Sequence, residues 1–251
     1  MKSRLGHPRL HLRGTSSTNE RARELAVAGA PHGTLVTAAE QTAGRGRQGR
    51  TWSAPPGSSL LCSLVLRDPP ALTTLIAAVA VCDVVGQNAR VKWPNDVVIE
   101  RAPLDTYETV LAKLAGILVE GRPQESWAVL GIGVNVAVRV DDLPADVRER
   151  AASLELPRSA IEPLLADLLS ALAIRLAEPA QALLDVWRAR DALRGREISW
   201  AHPKGTYPEG TRRQGHGRAD GIDGEGRLLV RLDDGTTTAL SAGEVHLASV
   251  G

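Results

Sequence analysis

Apolar positions alternate or run continuously up to residue 136, then fall at helical spacing, then return to short alternating runs. Leu10 and Leu12 alternate with Arg9 and His11, which predicts a short first strand. Ser17 and Glu20 have capping-box spacing, and Ala22, Leu25 and Ala26 make one apolar face, so a helix should run to about Ala28. Residues 33–40 and 60–66 read as strands, and 71–85 as a buried helix rich in alanine and valine. Val91-Lys92-Trp93 enters a strand that breaks at Pro94-Asn95-Asp96 and resumes at Val97-Val98-Ile99. Strands over 113–120 and 127–136 follow. In the first, Ala115, Ile117 and Val119 share a face, while the second is apolar on both faces and belongs inside a sheet. Glycines in that run mark where backbone or ligand comes close, and Asn135 inside it needs a partner.

From Asp141 the pattern changes. Ser159 and Glu162 open a helix to about Leu176, and Pro179 opens another to Ala192. Short strands are predicted over 196–200, 218–222, 227–232 and 236–240, with Asp-Gly turns between them. Such a stretch predicts a small β-barrel appended to the main body, dividing the chain into 1–192 and 193–251.

Composition narrows the class. The chain has 251 residues, 43% of them apolar, enough for a substantial core. A net charge of +1 gives no general attraction to nucleic acid or anionic membrane. No signal peptide and no apolar run of about 18 residues is evident, so a soluble cytoplasmic protein is expected. Cys62 and Cys82 lack metal-site spacing and read as buried thiols. Of thirty basic residues only four are lysines, and two of these, Lys92 and Lys113, lie in apolar strands. A compact ammonium there suggests a task that guanidinium does not perform.

Candidate chemistry concentrates in Gly44-Arg45-Gly46-Arg47-Gln48-Gly49-Arg50-Thr51-Trp52. Glycine permits positive φ and close approach of backbone N–H groups, and arginine matches carboxylates and phosphates. The stretch is suited to folding over a small anion. A solvated basic loop is the plain alternative. A nucleic-acid-binding tract would repeat, and this one occurs once. A phosphate-binding P-loop needs lysine where Arg50 stands and a helix directly after it, but Ser53-Ala54-Pro55-Pro56-Gly57 breaks a helix.

Five runs then occur in order: Ser17-Thr18-Asn19; Gln41 through Trp52; Lys92-Trp93-Pro94-Asn95-Asp96-Val97; Lys113-Leu114-Ala115-Gly116-Ile117-Leu118; and Gly131-Ile132-Gly133-Val134-Asn135-Val136. Together they resemble the biotin–protein ligase family. The resemblance covers residues 15 to about 190, with the C-terminal strands alike in pattern only. It implies an α+β fold: a mixed sheet flanked by helices, with a small SH3-like barrel from about Arg194. It also implies a two-step reaction, in which biotin and ATP give biotinyl-5′-AMP and a lysine of a biotin carboxyl carrier domain is then acylated.

Residue by residue, the resemblance implies Lys113, Arg47 and Arg50 as catalytic cations. Biotin would be held by Ser17, Thr18, Asn19, Gln41, Gly44, Arg45, Gly46 and Arg47, with Lys113 and Gly116. ATP would meet Arg50, Trp52, Lys92, Asn95, Asp96 and Asn135, with Asp96 supporting Mg²⁺. The expected partner is the carrier domain of a biotin-dependent carboxylase, with no nucleic acid or membrane, and a homodimer is one option for assembly. Relatives that act as repressors carry an N-terminal winged helix. Only sixteen residues precede Ser17, so the single-function form is expected. The connection over 99–112 is longer than in many relatives and suggests a hairpin or loop over the site. The glycine–arginine loop is expected to be mobile when empty and to order around ligand. Lipoate–protein ligase, of the same fold, is the runner-up reading, and a nucleic-acid-binding protein a distant third.

Overall fold

A computed structural model describes residues 5–101, 110–122, 126–201, 214–241 and 244–247. Seven strands form a mixed sheet: β1 (Arg9–Leu12), β2 (Leu35–Ala38), β3 (Ser59–Arg67), β4 (Ala89–Lys92), β5 (Asp96–Arg101), β6 (Val110–Arg122) and β7 (Trp127–Asn135). Their spatial order is β1-β2-β3-β7-β6-β5-β4. Only the β1–β2 pair is parallel. The long apolar runs, β3 and β7, sit at the centre as their two-sided hydrophobicity requires. Helix α1 (Thr18–Val27) covers one face, packing Ala22 and Ala26 against Val36, Val65 and Val129. Helix α2 (Thr73–Val85) lies on the other face and is apolar nearly all round, because α4 (Ile161–Ala177) and α5 (Ala180–Ala189) cover its back. A short helix, α3 (Ala145–Arg148), was not foreseen.

The C-terminal strands are β8 (Glu197–Ala201), β9 (Gln214–Ile222), β10 (Leu228–Arg231), β11 (Thr237–Leu240) and β12 (Glu244–Leu247). They form an antiparallel sheet in the order β11-β10-β9-β8-β12. Closure of the expected barrel is not seen among the described residues, where β11 and β12 remain the two edges. This sheet is fastened to the main body. The segment leading into it is anchored first, as Val91 bonds through its backbone to Arg190 and Ala192 at 2.7 and 2.9 Å. Trp93 Nε1 donates to Gly226 O at 3.0 Å, and Arg196 pairs with Glu100 at 2.6 Å. At Gly226, with φ +76°, a Cβ would stand 2.7 Å from Leu75, so the turn packs directly on α2.

Both capping-box expectations fail. Ser17 makes no side-chain cap bond. The N–H of Thr18 is taken by Gln41 Oε1 at 2.7 Å, and Glu20 accepts from Ser16 instead. The chain after β2 returns beside the helix start, so Gln41 satisfies the first helical N–H, while the bond from Glu20 N–H to Ser17 that a capping box requires is not made. At the second site a 3₁₀ turn, Arg158–Ala160, precedes α4, and Glu162 forms a two-pronged ion pair with Arg9 at 2.7 and 2.8 Å. A charged partner 153 positions away outcompetes the local cap. The 99–112 connection does continue as a hairpin as far as the Arg101–Val110 pair. Residues 102–109 lie outside the described residues.

Candidate active site

Strands β3 to β7, the start of α1, Gln41 and the glycine–arginine loop surround one cavity of about 900 Å³. Every predicted site residue lines it except Gly44. Gly44 serves the loop itself: a Cβ there would meet Trp52 O at 2.4 Å, and Trp52 N bonds to Gly44 O at 2.9 Å. The loop is a small closed hairpin, with Gly46 N bonded to Arg50 O at 2.7 Å and a 3₁₀ turn at Arg47–Gly49. No helix follows it, which removes the P-loop reading.

One end of the cavity is neutral and polar. Thr18 and Asn19 are buried at the first turn of α1. Gln41 Oε1 accepts from both Thr18 N and Thr18 Oγ1, at 2.7 and 2.9 Å. Both of its lone pairs are therefore engaged, and the Gln41 amide N–H groups remain for a ligand carbonyl. Asn19 Nδ2 donates to Glu120 Oε2 at 2.9 Å and Leu118 O at 3.4 Å, while its Oδ1 accepts from Ser63 at 2.6 Å. One Oδ1 lone pair is left for a ligand N–H. The donor–acceptor pattern matches a cyclic urea. Gly131 makes this arrangement possible, since a Cβ there would fall 2.0 Å from Asn19 Oδ1.

The other end is cationic. Lys113 Nζ lies 2.6 Å from Asp96 Oδ1 and 5.8 Å from the centre of the Trp52 ring. The Trp52 indole lies against two glycines: a Cβ on Gly116 would stand 3.0 Å from it and one on Gly133 2.7 Å. Its Nε1 is buried without a hydrogen-bond partner among the described residues. Arg47 donates to Asn95 Oδ1 at 3.1 Å, and Asn95 Nδ2 donates to Ile117 O at 2.8 Å. Asn135 directs its amide to protein, donating to Ala152 O at 2.9 Å, so it fixes the cavity wall beside Lys113. Burial pushes the Lys92 ammonium below its usual range, with Lys113, Arg150 and Arg50 adding to the effect and Asp96 opposing it. Burial and the cations Lys92, Arg50 and Arg150 likewise lower His246.

Two comparisons by sequence bear on this arrangement. Residues 12–136 match the model of the biotin/lipoate A/B protein ligase family, and 210–247 match the biotin protein ligase C-terminal domain. A biotin–[acetyl-CoA-carboxylase] ligase of Mycobacterium tuberculosis is 32% identical over 93% of this chain and 86% of its own length. The chain belongs to the biotin protein ligase family. A bifunctional ligase/repressor BirA of Bacillus spizizenii is 40% identical over 151 residues, which span 55% of this chain and 43% of that protein. In structure, the chain is similar to the Aquifex aeolicus biotin protein ligase solved with biotin and ATP, with a TM-score of 0.76 over 96% of this chain and 100% of that one. At 22% identity this establishes the fold.

Several residues at or behind this family member's cavity wall were not singled out as site residues. Ser63 and Glu120 hold Asn19 from behind the lining, and Arg150 and His246 face the cationic end. Gly131 and Gly133 were legible as places of close approach, although not which side chain approaches. Arg150 and His246 carry no local signal, since only the tertiary fold brings the segment after α3 and strand β12 to this cavity.

Proposed function

We propose that this protein activates biotin with ATP and transfers it to a lysine of a carrier domain. A biotin carboxylate oxygen attacks the α-phosphorus, the bond to the β-phosphate oxygen breaks, and pyrophosphate leaves. The carrier amine then attacks the acyl carbon of the mixed anhydride, loses a proton, and AMP departs. The carrying observation is one cavity with a urea-matching edge at Thr18, Asn19 and Gln41 and a cluster of cations at its other end. Lys113, at the cationic end, is suited to screening carboxylate from phosphate and to stabilising charge that grows on the phosphate. Arg47 and Arg50 reach the same space from the loop. Trp52, over Gly116 and Gly133, offers a flat face to a base. The printed names of the relatives support this reading, and the carboxyl carrier partner follows from it.

Magnesium belongs with the nucleotide. Among the described residues no group of three His, Cys, Asp or Glu could hold a metal. Asp96, the predicted ligand, already pairs with Lys113. Magnesium is commonly held by one or two carboxylates together with substrate phosphates, which fits MgATP as the substrate and Asp96 as one contact. A lipoate ligase would have no use for the polar edge at Asn19 and Gln41. Pyrophosphate release with MgATP plus biotin, against MgATP plus lipoate, tests the proposal. Release that depends on biotin alone is expected; release equal with and without biotin overturns it.

A further inference from the structure

Glu120, near the C-terminal end of β6, uses its two carboxylate oxygens for two different parts of the cavity. Oε2 accepts from Asn19 Nδ2 at 2.9 Å. Oε1 pairs with the Arg45 guanidinium at 3.0 Å. Asn19 is buried, and its amide orientation is further fixed by Ser63 and Leu118 O. Arg45 belongs to the glycine–arginine loop and is bridged to Thr51 across it. One side chain thus connects the neutral edge of the cavity to the loop that carries the cations.

We propose that Glu120 is a positioning residue that couples recognition of the substrate ring to placement of the loop. This rests on the proposed biotin reading for the ring, while the Arg45 contact stands in the structure by itself. Glu120 supplies the counter-charge that Arg45 needs, so the loop is held by an internal carboxylate. When the ring engages the remaining lone pair of Asn19, it fixes the amide that fixes Glu120, and through Glu120 it steadies Arg45. A carboxylic acid without the ring would reach the cations and leave this link unused. Ring identity, and not the shared carboxylate alone, then decides whether the loop is properly placed for adenylation.

Glu120→Gln separates the two contacts, because its amide oxygen still accepts from Asn19 while the charge facing Arg45 is gone. Hydrogen exchange of the 44–52 amides in the ligand-free protein should quicken about two- to fivefold in Glu120→Gln and equally in Arg45→Ala, with no further gain in the double variant. Biotin affinity should fall about tenfold in Glu120→Ala but stay within about threefold of the parent in Glu120→Gln. In an Asn19→Ala background, Glu120→Ala should add little, within about twofold. Unchanged loop exchange in Glu120→Gln overturns the proposal, as do fully multiplicative effects of Asn19→Ala and Glu120→Ala. A parent protein that binds no biotin would refute the proposed function, while the ligand-free exchange still tests the Arg45 contact. Thermal melts of Glu120→Gln, nearly isosteric with the parent, separate misfolding from loss of the link.

Discussion

The two ends of the cavity are built in opposite ways. At the neutral end, each polar side chain is held by other protein groups: Gln41 by Thr18, Asn19 by Ser63, Glu120 and Leu118. The orientation of each amide there is set by bonds within the chain. At the other end Arg50, Lys92, Lys113, Arg150 and His246 converge from five parts of the chain, with Asp96 the carboxylate paired among them. Burial disfavours the charged form and the neighbouring cations add to the effect, which is the direction seen for Lys92 and His246. The neutral end is ordered by hydrogen bonds within the chain, and the cationic end gathers charge of one sign around Asp96. The difference teaches that one cavity can join a hydrogen-bonded edge to a charged one that favours anions.

The sharpest way to break the comparison is Lys113→Ala. If the cation acts where charge grows, single-turnover adenylate formation should fall about 30- to 1,000-fold, roughly 2–4 kcal/mol. Biotin affinity measured without ATP should change little. A near-normal single-turnover rate would reduce Lys113 to a partner for Asp96.

A pair of one-atom insertions probes the ends separately. Gly131→Ala would drive a methyl into Asn19, and Gly133→Ala would drive one into Trp52. Overpacking of this kind commonly costs about 1–3 kcal/mol, so KM changes of about 10- to 100-fold are expected. The first should raise KM for biotin and the second KM for ATP. If both variants raise the same KM, the two ends are not separable.

Lys92 offers a smaller test. Its ammonium is depressed below the ordinary 10.5 by burial, and an arriving phosphate favours the charged form. ATP affinity should therefore weaken as pH rises through the alkaline range, earlier than for an exposed lysine. Lys92→Arg should flatten that dependence, and an unchanged profile would remove Lys92 from the phosphate contacts.

The smallest effect serves as a control away from both ends. Asp191, at the junction with the C-terminal sheet, is pushed up to about 6 by burial, with backbone bonds from Leu193 and Arg194 opposing. Its Oδ2 is buried without a hydrogen-bond partner among the described residues. Because the folded value lies above the unfolded 3.8, the stability linked to its proton is present at low pH and lost as pH rises through about 6. Asp191→Asn should raise Tm by about 2–4 °C at pH 8 and hardly at all near pH 4, with both KM values unchanged.

Much of this was legible because the sequence signals are local. The apolar runs of β3 and β7, the helical spacing of α4 and α5, and the break at Pro94-Asn95-Asp96 needed no tertiary knowledge. The five motifs brought the predicted residues, apart from Gly44, around one cavity. What failed was also local in kind: neither capping box forms, and Glu20 and Glu162 accept from Ser16 and from the distant Arg9 instead. The side-chain partners of the loop were not legible: Arg45 has Glu120 and Arg47 has Asn95, contacts that depend on how β5 and β6 lie beside the loop.

One backbone arrangement reaches beyond the reaction. Lys113 N and O bond to Arg150 O and Ala152 N at 2.6 and 2.8 Å, while Leu154 N bonds to Asn135 O at 3.0 Å. The stretch over 137–150 therefore leaves the end of β7 and returns to the same place, secured at both ends beside the lysine. Between those anchors it has its own small core of Val138, Leu143 and Ala151, and it lends Pro144 and Val147 to the cavity wall. Such an excursion is a cassette. Its length and side chains can be exchanged to reshape the wall, while the strand carrying Lys113 keeps its register.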